Sequence, residues 1–226
     1  MQEKWALLVV GGESPPQHYL RFWAEVSGII IAADSGLDHC TSAGVVPDFV
    51  VGDMDSVSDS ARSGMPADVV VEAHDRAKDL TDTELGLEIA EREGAAHIVL
   101  CGGGGGRLDH LLAIYHIMYR RLSPIMWCTR DDELVRIDRY FSDVARTQHM
   151  LSYLPGSNEL EISYSEGLRW SLDGLVWGSG SFGISNEGTG GRYAIELARG
   201  RLLQVRALRE DPELTYRALV QSLESV

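Results

Sequence analysis

Five consecutive glycines, residues 102–106, lie between an apolar run at His97–Cys101 and a charged segment that begins at Arg107. Because glycine has no side chain, it adopts positive φ readily and lets the backbone approach a ligand closely. The charged segment opens a helical pattern, and a helix N-terminus presents unpaired N–H groups that suit phosphate. This sequence of strand, glycine loop and helix start predicts a polyphosphate site.

The residues around the glycine run exclude two common phosphate-binding motifs. No Gly-Lys-Ser/Thr sequence follows the run, so the loop is not a P-loop. Arg107 stands where the dinucleotide fingerprint requires a third glycine. A flexible linker is the remaining alternative. The strand and helix patterns that adjoin the run directly favour a binding loop instead.

Composition limits the partners and the compartment that we expect. The 226 residues, 44% of them hydrophobic, suffice for one large domain or two modest ones. With 34 acidic and 20 basic residues, the net charge of −14 disfavours nucleic acid as a partner. Three widely spaced cysteines form no metal-ligand pattern and are expected to be reduced. The apolar run Trp5–Val10 is too short for a signal peptide or a membrane span, so we expect a cytoplasmic protein without a membrane partner.

Six short apolar runs in the first 130 residues lack polar alternation, which is typical of strands covered on both faces. Helical patterns lie between them, most clearly at Thr81–Glu93, which a capping box opens, and at Leu108–Arg121. The alternation predicts an α/β nucleotide-binding domain over residues 1–130, with a doubly wound parallel sheet. The expected strands are Ala6–Val10, Gly28–Ala33, Asp48–Val51, Asp68–Val71, His97–Cys101 and Ile125–Cys128.

From residue 131 the apolar residues alternate with period two, and glycines supply turns between the alternating segments. This pattern predicts a smaller antiparallel β-sandwich domain over residues 131–226. Asp211 and Pro212 begin a final amphipathic helix. The expected apolar face of that helix is Leu214, Ala218, Leu219 and Leu223. The alternating segments begin at Leu160, Leu168, Tyr193 and Leu203.

Several acids of the first domain follow the predicted strands, where ligands of open α/β sheets bind. They are Asp34, Asp53, Asp55, Asp79, Asp82 and Asp109. Any one of them alone is typical of a turn or a helix start. Together, carboxylates beside an anion site repel each other and a polyphosphate, and a divalent cation such as Mg²⁺ resolves both conflicts. The pattern predicts phosphoryl or pyrophosphoryl transfer from a magnesium nucleotide.

Five motifs, in this order and spacing, resemble those of the thiamine pyrophosphokinase family over nearly the whole chain. They are Asp34–Gly36, Pro47–Ser56, Asp79–Asp82, Gly105–His110 and Ser185–Glu187. The Gly-Asp-x-Asp-Ser and Gly-Gly-Arg-x-Asp-His pair carries most of the resemblance, while the Ser-Asn-Glu match is short.

The resemblance implies transfer of a pyrophosphoryl group from ATP to the thiamine hydroxyl, giving thiamine diphosphate and AMP. It implies a homodimer that binds thiamine at the subunit junction. It also implies that Asp53, Asp55 and Asp82 hold Mg²⁺, with Arg107 and Asp109 completing the catalytic group. The residues implied to contact the nucleotide or shape its site are Asp34, Ser35, Asp79, Gly103, Gly104, Gly105, Gly106 and His110. Those implied to lie near thiamine are Ser185 and Asn186.

The hypothesis for the reaction is in-line attack of the thiamine hydroxyl on the β-phosphorus, with Mg²⁺ and Arg107 stabilising the developing charge. Either Asp109 or Asp79 could accept the proton. Trp170 and Trp177 are candidates to contact the thiamine cation, but both fall in alternating segments, which favours core packing.

Three other functions compete with this hypothesis. One is a pyrophosphokinase that acts on another heterocyclic alcohol, such as a hydroxymethyl pterin, because the first domain handles the nucleotide alone. Another is a non-catalytic nucleotide-binding protein of the same fold, which the complete set of acids disfavours. Hydrolysis of a nucleotide or sugar phosphate is a weaker alternative.

Overall fold

A sheet of parallel strands forms the centre of the first of two compact units, residues 1–131. The structure is a computed structural model that describes residues 3–74, 79–178 and 180–225. The strands of this unit are β1 (Trp5–Val10), β2 (Ile29–Ala33), β3 (Phe49–Gly52), β4 (Val70–Ala73), β5 (His97–Cys101) and β6 (Met126–Cys128). Its helices are α1 (Gln17–Val26), α2 (Gly36–Ala43), α3 (Asp59–Gly64), α4 (Asp82–Arg92) and α5 (Leu108–Ile117).

The strand order β6-β5-β1-β2-β3-β4, with parallel pairing between all neighbours, confirms the predicted fold class. Connections after β1, β2 and β3 step toward one edge, whereas those after β4 and β5 bring the chain to the other side of β1. Since such crossovers are right-handed, the two sets of helices cover opposite faces of the sheet. The direction reverses between β1 and β5, and ligands bind in the crevice at such a point.

Burial explains why the central strands read as unbroken apolar runs. All residues of β1 and β5 are buried, as expected of strands with helices on both faces.

The predicted capping box is confirmed, because the Thr81 N–H donates to the Glu84 carboxylate at 2.8 Å and the Thr81 hydroxyl accepts the Glu84 N–H. Helix α5 ends at Ile117, four residues before the predicted end, since residues 118–120 close with tighter i→i+3 hydrogen bonds.

The second unit, residues 132–226, contains two antiparallel sheets in the described part of the chain, which confirms the predicted architecture. Within this unit the strand orders are β12-β9-β14-β7 and β11-β10-β13-β8. The strands are β7 (Asp132–Ile137), β8 (Tyr140–Ala145), β9 (Met150–Pro155), β10 (Glu159–Glu166), β11 (Val176–Gly178), β12 (Gly183–Glu187), β13 (Gly191–Arg199) and β14 (Leu202–Ala207). The final helix is α6 (Pro212–Glu224).

A buried ionic network joins α6 to both sheets of the second unit. The fully buried Arg206 guanidinium bonds the Glu133 carboxylate at 2.5 Å and the Asp143 carboxylate at 2.6 Å. The Thr215 hydroxyl, from α6, donates to Glu133 at 3.0 Å. This network fixes the helix, whose Ala218 is buried as predicted.

Three expectations for the second unit are wrong: a strand at residues 168–172, core packing of Trp170 and burial of Leu214. Residues 168–172 form no strand beyond an isolated bridge at Leu168, because the backbone of Trp170 is instead held by the side chain of Asn186. Trp170 is therefore half exposed, and the Arg169 guanidinium lies 4.6 Å from its ring centroid. Trp177, in contrast, is buried as expected. Leu214 is half exposed, so it does not belong to the buried face of α6.

None of the helices in the described residues is long and apolar enough to cross a membrane.

Candidate active site

The loops that follow β1 and β5 are hydrogen-bonded to each other at the point where the sheet reverses direction. The Gly103 N–H donates to the Gly11 carbonyl at 2.6 Å, and the Glu13 N–H donates to the Gly104 carbonyl at 2.7 Å. The Trp127 indole donates to the Gly102 carbonyl at 2.8 Å from a buried position. These bonds hold the glycine loop in one conformation, so the run is not a flexible linker.

Packing against the protein itself requires glycine at two positions of the run, Gly102 and Gly104. A Cβ on Gly102 would lie 2.2 Å from the Val10 carbonyl oxygen, and one on Gly103 would lie 2.2 Å from Ile114 Cδ1. A Cβ on Gly104 would lie 2.8 Å from Thr129 Cβ, and one on Gly105 would lie 2.5 Å from the Glu13 side chain. The contacts of Gly103 and Gly105 are with flexible side-chain ends, so their positive φ values of 72° and 63° are what favours glycine there. A Cβ on Gly106 would meet no described atom within 4 Å. Position 106 is therefore the open part of the loop.

Alanine substitutions should separate these two roles of glycine. Gly102→Ala should leave little folded protein, because its Cβ would overlap a backbone carbonyl in the centre of the sheet. Gly106→Ala should fold and lose about 1–2 kcal/mol of stability, since its positive φ of 61° strains any residue with a side chain. Thermal unfolding of both variants measures this difference. Equal losses at the two positions would contradict the packing role of Gly102.

Three carboxylates converge at the carboxyl ends of β2 and β3. One oxygen from each of Asp34, Asp53 and Asp55 lies within 4.8 Å of the others. Asp34 has a φ of 48°, and its Oδ1 atom is buried without a hydrogen-bond partner among the described residues. Three like charges this close repel each other, and a cation between them removes that repulsion. We call these three residues the carboxylate cluster.

The other predicted acids lie around the cluster at different positions. If Gly52 carried a Cβ atom, that atom would lie 3.1 Å from Asp82 Oδ1 and 3.3 Å from Asp34 Cβ. Asp82 therefore lies beside Asp34, at the start of α4. It is not among the three grouped residues, so its role as a ligand stays a prediction. Asp79 is exposed and is absent from the described lining of the cavity.

Arg107 and Asp109 form an exposed ion pair at the start of α5. The guanidinium donates to both carboxylate oxygens, at 3.1 and 2.6 Å. These hydrogen bonds lower the pKa of the Asp109 carboxyl and raise the pKa of the Arg107 guanidinium. An exposed pair of this kind contributes little stability, so Arg107 can exchange Asp109 for phosphate oxygens at small cost.

A cavity of about 350 Å³ lies between the glycine loop and Asp34 of the cluster. Its described lining does not include Asp53, Asp55 or Asp109. Its polar lining comes from the loops after β1, β2 and β5 and from the start of α4, and its apolar lining comes largely from α5. Predicted site residues that line it are Asp34, Ser35, Asp82, Gly103, Gly104, Gly105, Gly106, Arg107 and His110. Lining residues that the sequence reasoning missed are Val10, Gly11, Gly12, Ala33, Ser56, Thr81, Thr83, Ala113, Ile114 and Ile117.

A sequence signal was available for part of the missed lining. Gly11 and Gly12 directly follow the first apolar run, at the same strand end as the predicted ligand loops. A Cβ on Gly11 would lie 2.2 Å from Ser35 Oγ, so a larger residue there would displace the Ser35 side chain from the cavity lining. The α5 residues gave no such signal, because an apolar helix face looks the same whether it lines a cavity or the core.

Ser185 and Asn186 lie on β12 of the second unit. Asn186 is buried, and its amide group both accepts from the Trp170 N–H at 3.2 Å and donates to the Trp170 carbonyl at 2.7 Å. Ser185 has a φ of 63°, and its N–H donates to the Ser152 hydroxyl at 3.1 Å. Asn186 thus fixes the backbone that presents the exposed Trp170 ring.

Comparisons with known proteins agree on one family. Residues 19–127 match the family model of the thiamin pyrophosphokinase catalytic domain. The chain is 25% identical to the thiamine pyrophosphokinase of Bacillus subtilis over 207 residues, which cover 88% of this chain and 97% of the relative.

Solved structures extend the similarity to both units. The crystal structure of the Bacillus subtilis protein has a TM-score of 0.77 at 24% identity, covering 90% of this chain and 99% of that one. The thiamin pyrophosphokinase of Geobacillus thermodenitrificans has a TM-score of 0.71 at 26% identity, covering 92% and 99%. In its matched catalytic-domain segment and in its fold, the chain is therefore similar to the thiamine pyrophosphokinases.

Proposed function

We propose that this chain transfers a pyrophosphoryl group from ATP to the hydroxyl of thiamine, giving thiamine diphosphate and AMP. The observation that carries the proposal is the carboxylate cluster at the ends of β2 and β3, whose Asp34 lines a cavity together with the glycine loop. The segment that contains the cluster matches the thiamin pyrophosphokinase catalytic-domain model. The cavity there is large enough for part of a nucleotide and offers both polar and apolar walls.

The cluster fits a hard divalent cation such as Mg²⁺. Its donors are carboxylate oxygens, which Mg²⁺ prefers, and the buried Asp34 Oδ1 atom gains a partner when a cation binds. Asp53 and Asp55 would hold the ion together with Asp34 or Asp82. When bound, the ion would supply charge neutralisation for the polyphosphate.

The side chains of the site would stabilise charge, accept the proton and bind the nucleotide. The thiamine oxygen forms a bond to the β-phosphorus while the bond from that phosphorus to the α–β bridging oxygen breaks, and AMP leaves with that oxygen. Arg107, released from Asp109, stabilises the charge on the transferred group. The hydroxyl proton passes to a carboxylate, and Asp109 and Asp79 both remain candidates. His110 and the residues 103–106 shape the nucleotide site.

The proposal includes a homodimer in which Ser185 and Asn186 lie near thiamine at the subunit junction. Support comes from β12, which carries both residues and pairs with β9 along one edge in the described residues. Phe182, just before β12, is 62% exposed and Ile184 is 61% exposed. An exposed apolar edge strand can pair with a strand of another chain, and a second copy of this chain would cover the exposed side chains of Phe182 and Ile184.

Phe182→Asp should therefore convert a dimer into a monomer, because a carboxylate cannot be buried in an apolar interface without a partner. Light scattering after size exclusion measures the mass of each form. Val144→Asp, an exposed valine on β8, is the control and should remain dimeric. A monomeric wild type, or a dimeric Phe182→Asp, would overturn this part of the proposal.

An assay of AMP release tests the function itself. Purified protein is incubated with Mg-ATP and either thiamine or a hydroxymethyl pterin, and AMP, ADP and phosphate are separated. AMP formed with thiamine alone is the expected result. AMP formed with the pterin would identify another acceptor, and ADP or phosphate would indicate phosphoryl transfer or hydrolysis. No turnover with bound ATP would indicate a nucleotide-binding protein.

A cytoplasmic location is also proposed, and the three buried free cysteines support it.

A further inference from the structure

The loop at residues 53–58 carries two carboxylates of the cluster in an unusual backbone conformation. Met54, between them, has a φ of 63°, which is uncommon for a residue with a side chain. The Asp55 N–H donates to Asp53 Oδ1 at 3.1 Å, and the Ser56 hydroxyl donates to Asp55 Oδ1 at 3.0 Å. A loop that is strained at its centre keeps its shape when surrounding groups hold it.

Arg62 holds the centre of this loop. It lies in the last turn of α3, and its Nη2 atom donates to the carbonyl oxygen of Met54. That carbonyl belongs to the peptide that joins Met54 to Asp55. The guanidinium thereby fixes the peptide that sets the direction of the Asp55 side chain relative to Asp53.

Asp38 holds the end of the same loop from a different helix. Its carboxylate, on α2, accepts the Ser58 N–H at 3.2 Å and also accepts the Ser58 hydroxyl. Ser58 in turn caps α3, since its Oγ atom accepts the Ala61 N–H at 3.2 Å. Asp38 therefore fixes the start of α3, and α3 carries Arg62 back to Met54.

We propose that Arg62 and Asp38 are positioning residues that hold Asp53 and Asp55 in the geometry that binds a divalent cation. They act through the Met54 carbonyl and through Ser58, while the cation binds the cluster. This inference rests on the metal site of the proposed function. It adds two residues outside the motifs that carry the resemblance.

The charge of Arg62 makes the inference testable by the sign of an effect. The Arg62 guanidinium is hydrogen-bonded to the carbonyl of Met54, the residue between Asp53 and Asp55. Its positive charge therefore repels a cation bound to the cluster. If Arg62 had no positioning role, its replacement by a neutral residue would leave cation affinity unchanged or increase it. The positioning role predicts the opposite, because the carboxylates lose their relative orientation.

The experiment titrates Mn²⁺, as a paramagnetic probe, into the protein without nucleotide. Arg62→Met should raise the Kd for Mn²⁺ about tenfold, at the lower end of effects known for groups that orient metal ligands. Arg62→Lys keeps a donor and should recover part of the affinity, and Asp38→Asn should weaken binding in the same direction. Arg121→Met removes an exposed arginine paired with Glu91, beyond the far end of α5, and should bind like wild type.

A kinetic readout accompanies the titration. The Mg²⁺ concentration for half-maximal AMP formation should rise by about the same factor as the Mn²⁺ Kd in Arg62→Met. The turnover at saturating Mg²⁺ should stay close to wild type, because the ligands themselves are intact.

The outcomes separate this inference from the proposed function. A wild type that binds no Mn²⁺ would overturn the metal site and the inference together. Wild-type binding with unchanged or tighter binding by Arg62→Met would overturn the inference alone. A lower melting temperature with unchanged Mn²⁺ affinity would also overturn it, since it would show a purely structural role.

Discussion

Asp53→Asn should lower the rate of thiamine diphosphate formation about a thousandfold, because loss of several kcal/mol of charge stabilisation corresponds to that factor. The amide keeps the shape of the side chain but removes one of the three grouped negative charges. The melting temperature should be unchanged or higher, since the remaining carboxylates repel each other less. AMP formation at saturating substrates and thermal unfolding measure the two effects.

Asp59→Asn provides the matched control. Asp59 is an exposed aspartate in the first turn of α3, outside the cluster, and its loss should leave turnover close to wild type. The pair of variants therefore distinguishes loss of a ligand from loss of overall charge. Near wild-type turnover in Asp53→Asn would show that the cluster does not hold the reaction's cation.

Arg206→Met should cost about 3–5 kcal/mol of unfolding free energy, which is the effect expected when one partner of a buried ion pair is removed. In the variant, Glu133 would remain buried with the Arg209 guanidinium only at 3.9 Å, whereas Asp143 would keep its 2.6 Å ion pair with Arg209. The hydrogen bond from Arg206 to the Tyr193 hydroxyl, 3.0 Å long, would be lost as well. Urea unfolding, followed by circular dichroism, measures the change.

Arg217→Met is the control for this second effect. Arg217 pairs with Glu213 on the exposed face of α6 at 2.7 Å. An exposed pair of this type contributes at most about 1 kcal/mol, so the variant should unfold close to wild type. Similar urea midpoints for Arg206→Met and wild type would mean that the network does not stabilise the second unit.

The fold class could be predicted because burial determines how apolar and polar residues are distributed along a strand. Strands covered on both faces are buried throughout, as in β1 and β5, whereas strands with one covered face alternate, as in residues 195–198 of β13. The pattern failed at residues 168–172, where alternation was present but the backbone hydrogen bonds went to Asn186. Such a long-range side-chain partner leaves no mark in local periodicity.

Sequence alone determined which residue types meet at the site, because strand ends of a parallel sheet lie along one edge, and Asp34, Asp53 and Asp55 each follow a strand. Tertiary structure decided how they are used. It grouped Asp34 with the Asp53 and Asp55 pair, gave Gly102 and Gly104 a packing role, and paired Arg107 with Asp109. It also placed Arg62 and Asp38 behind the loop. These outcomes depend on distances between segments far apart in the chain, which local pattern does not encode.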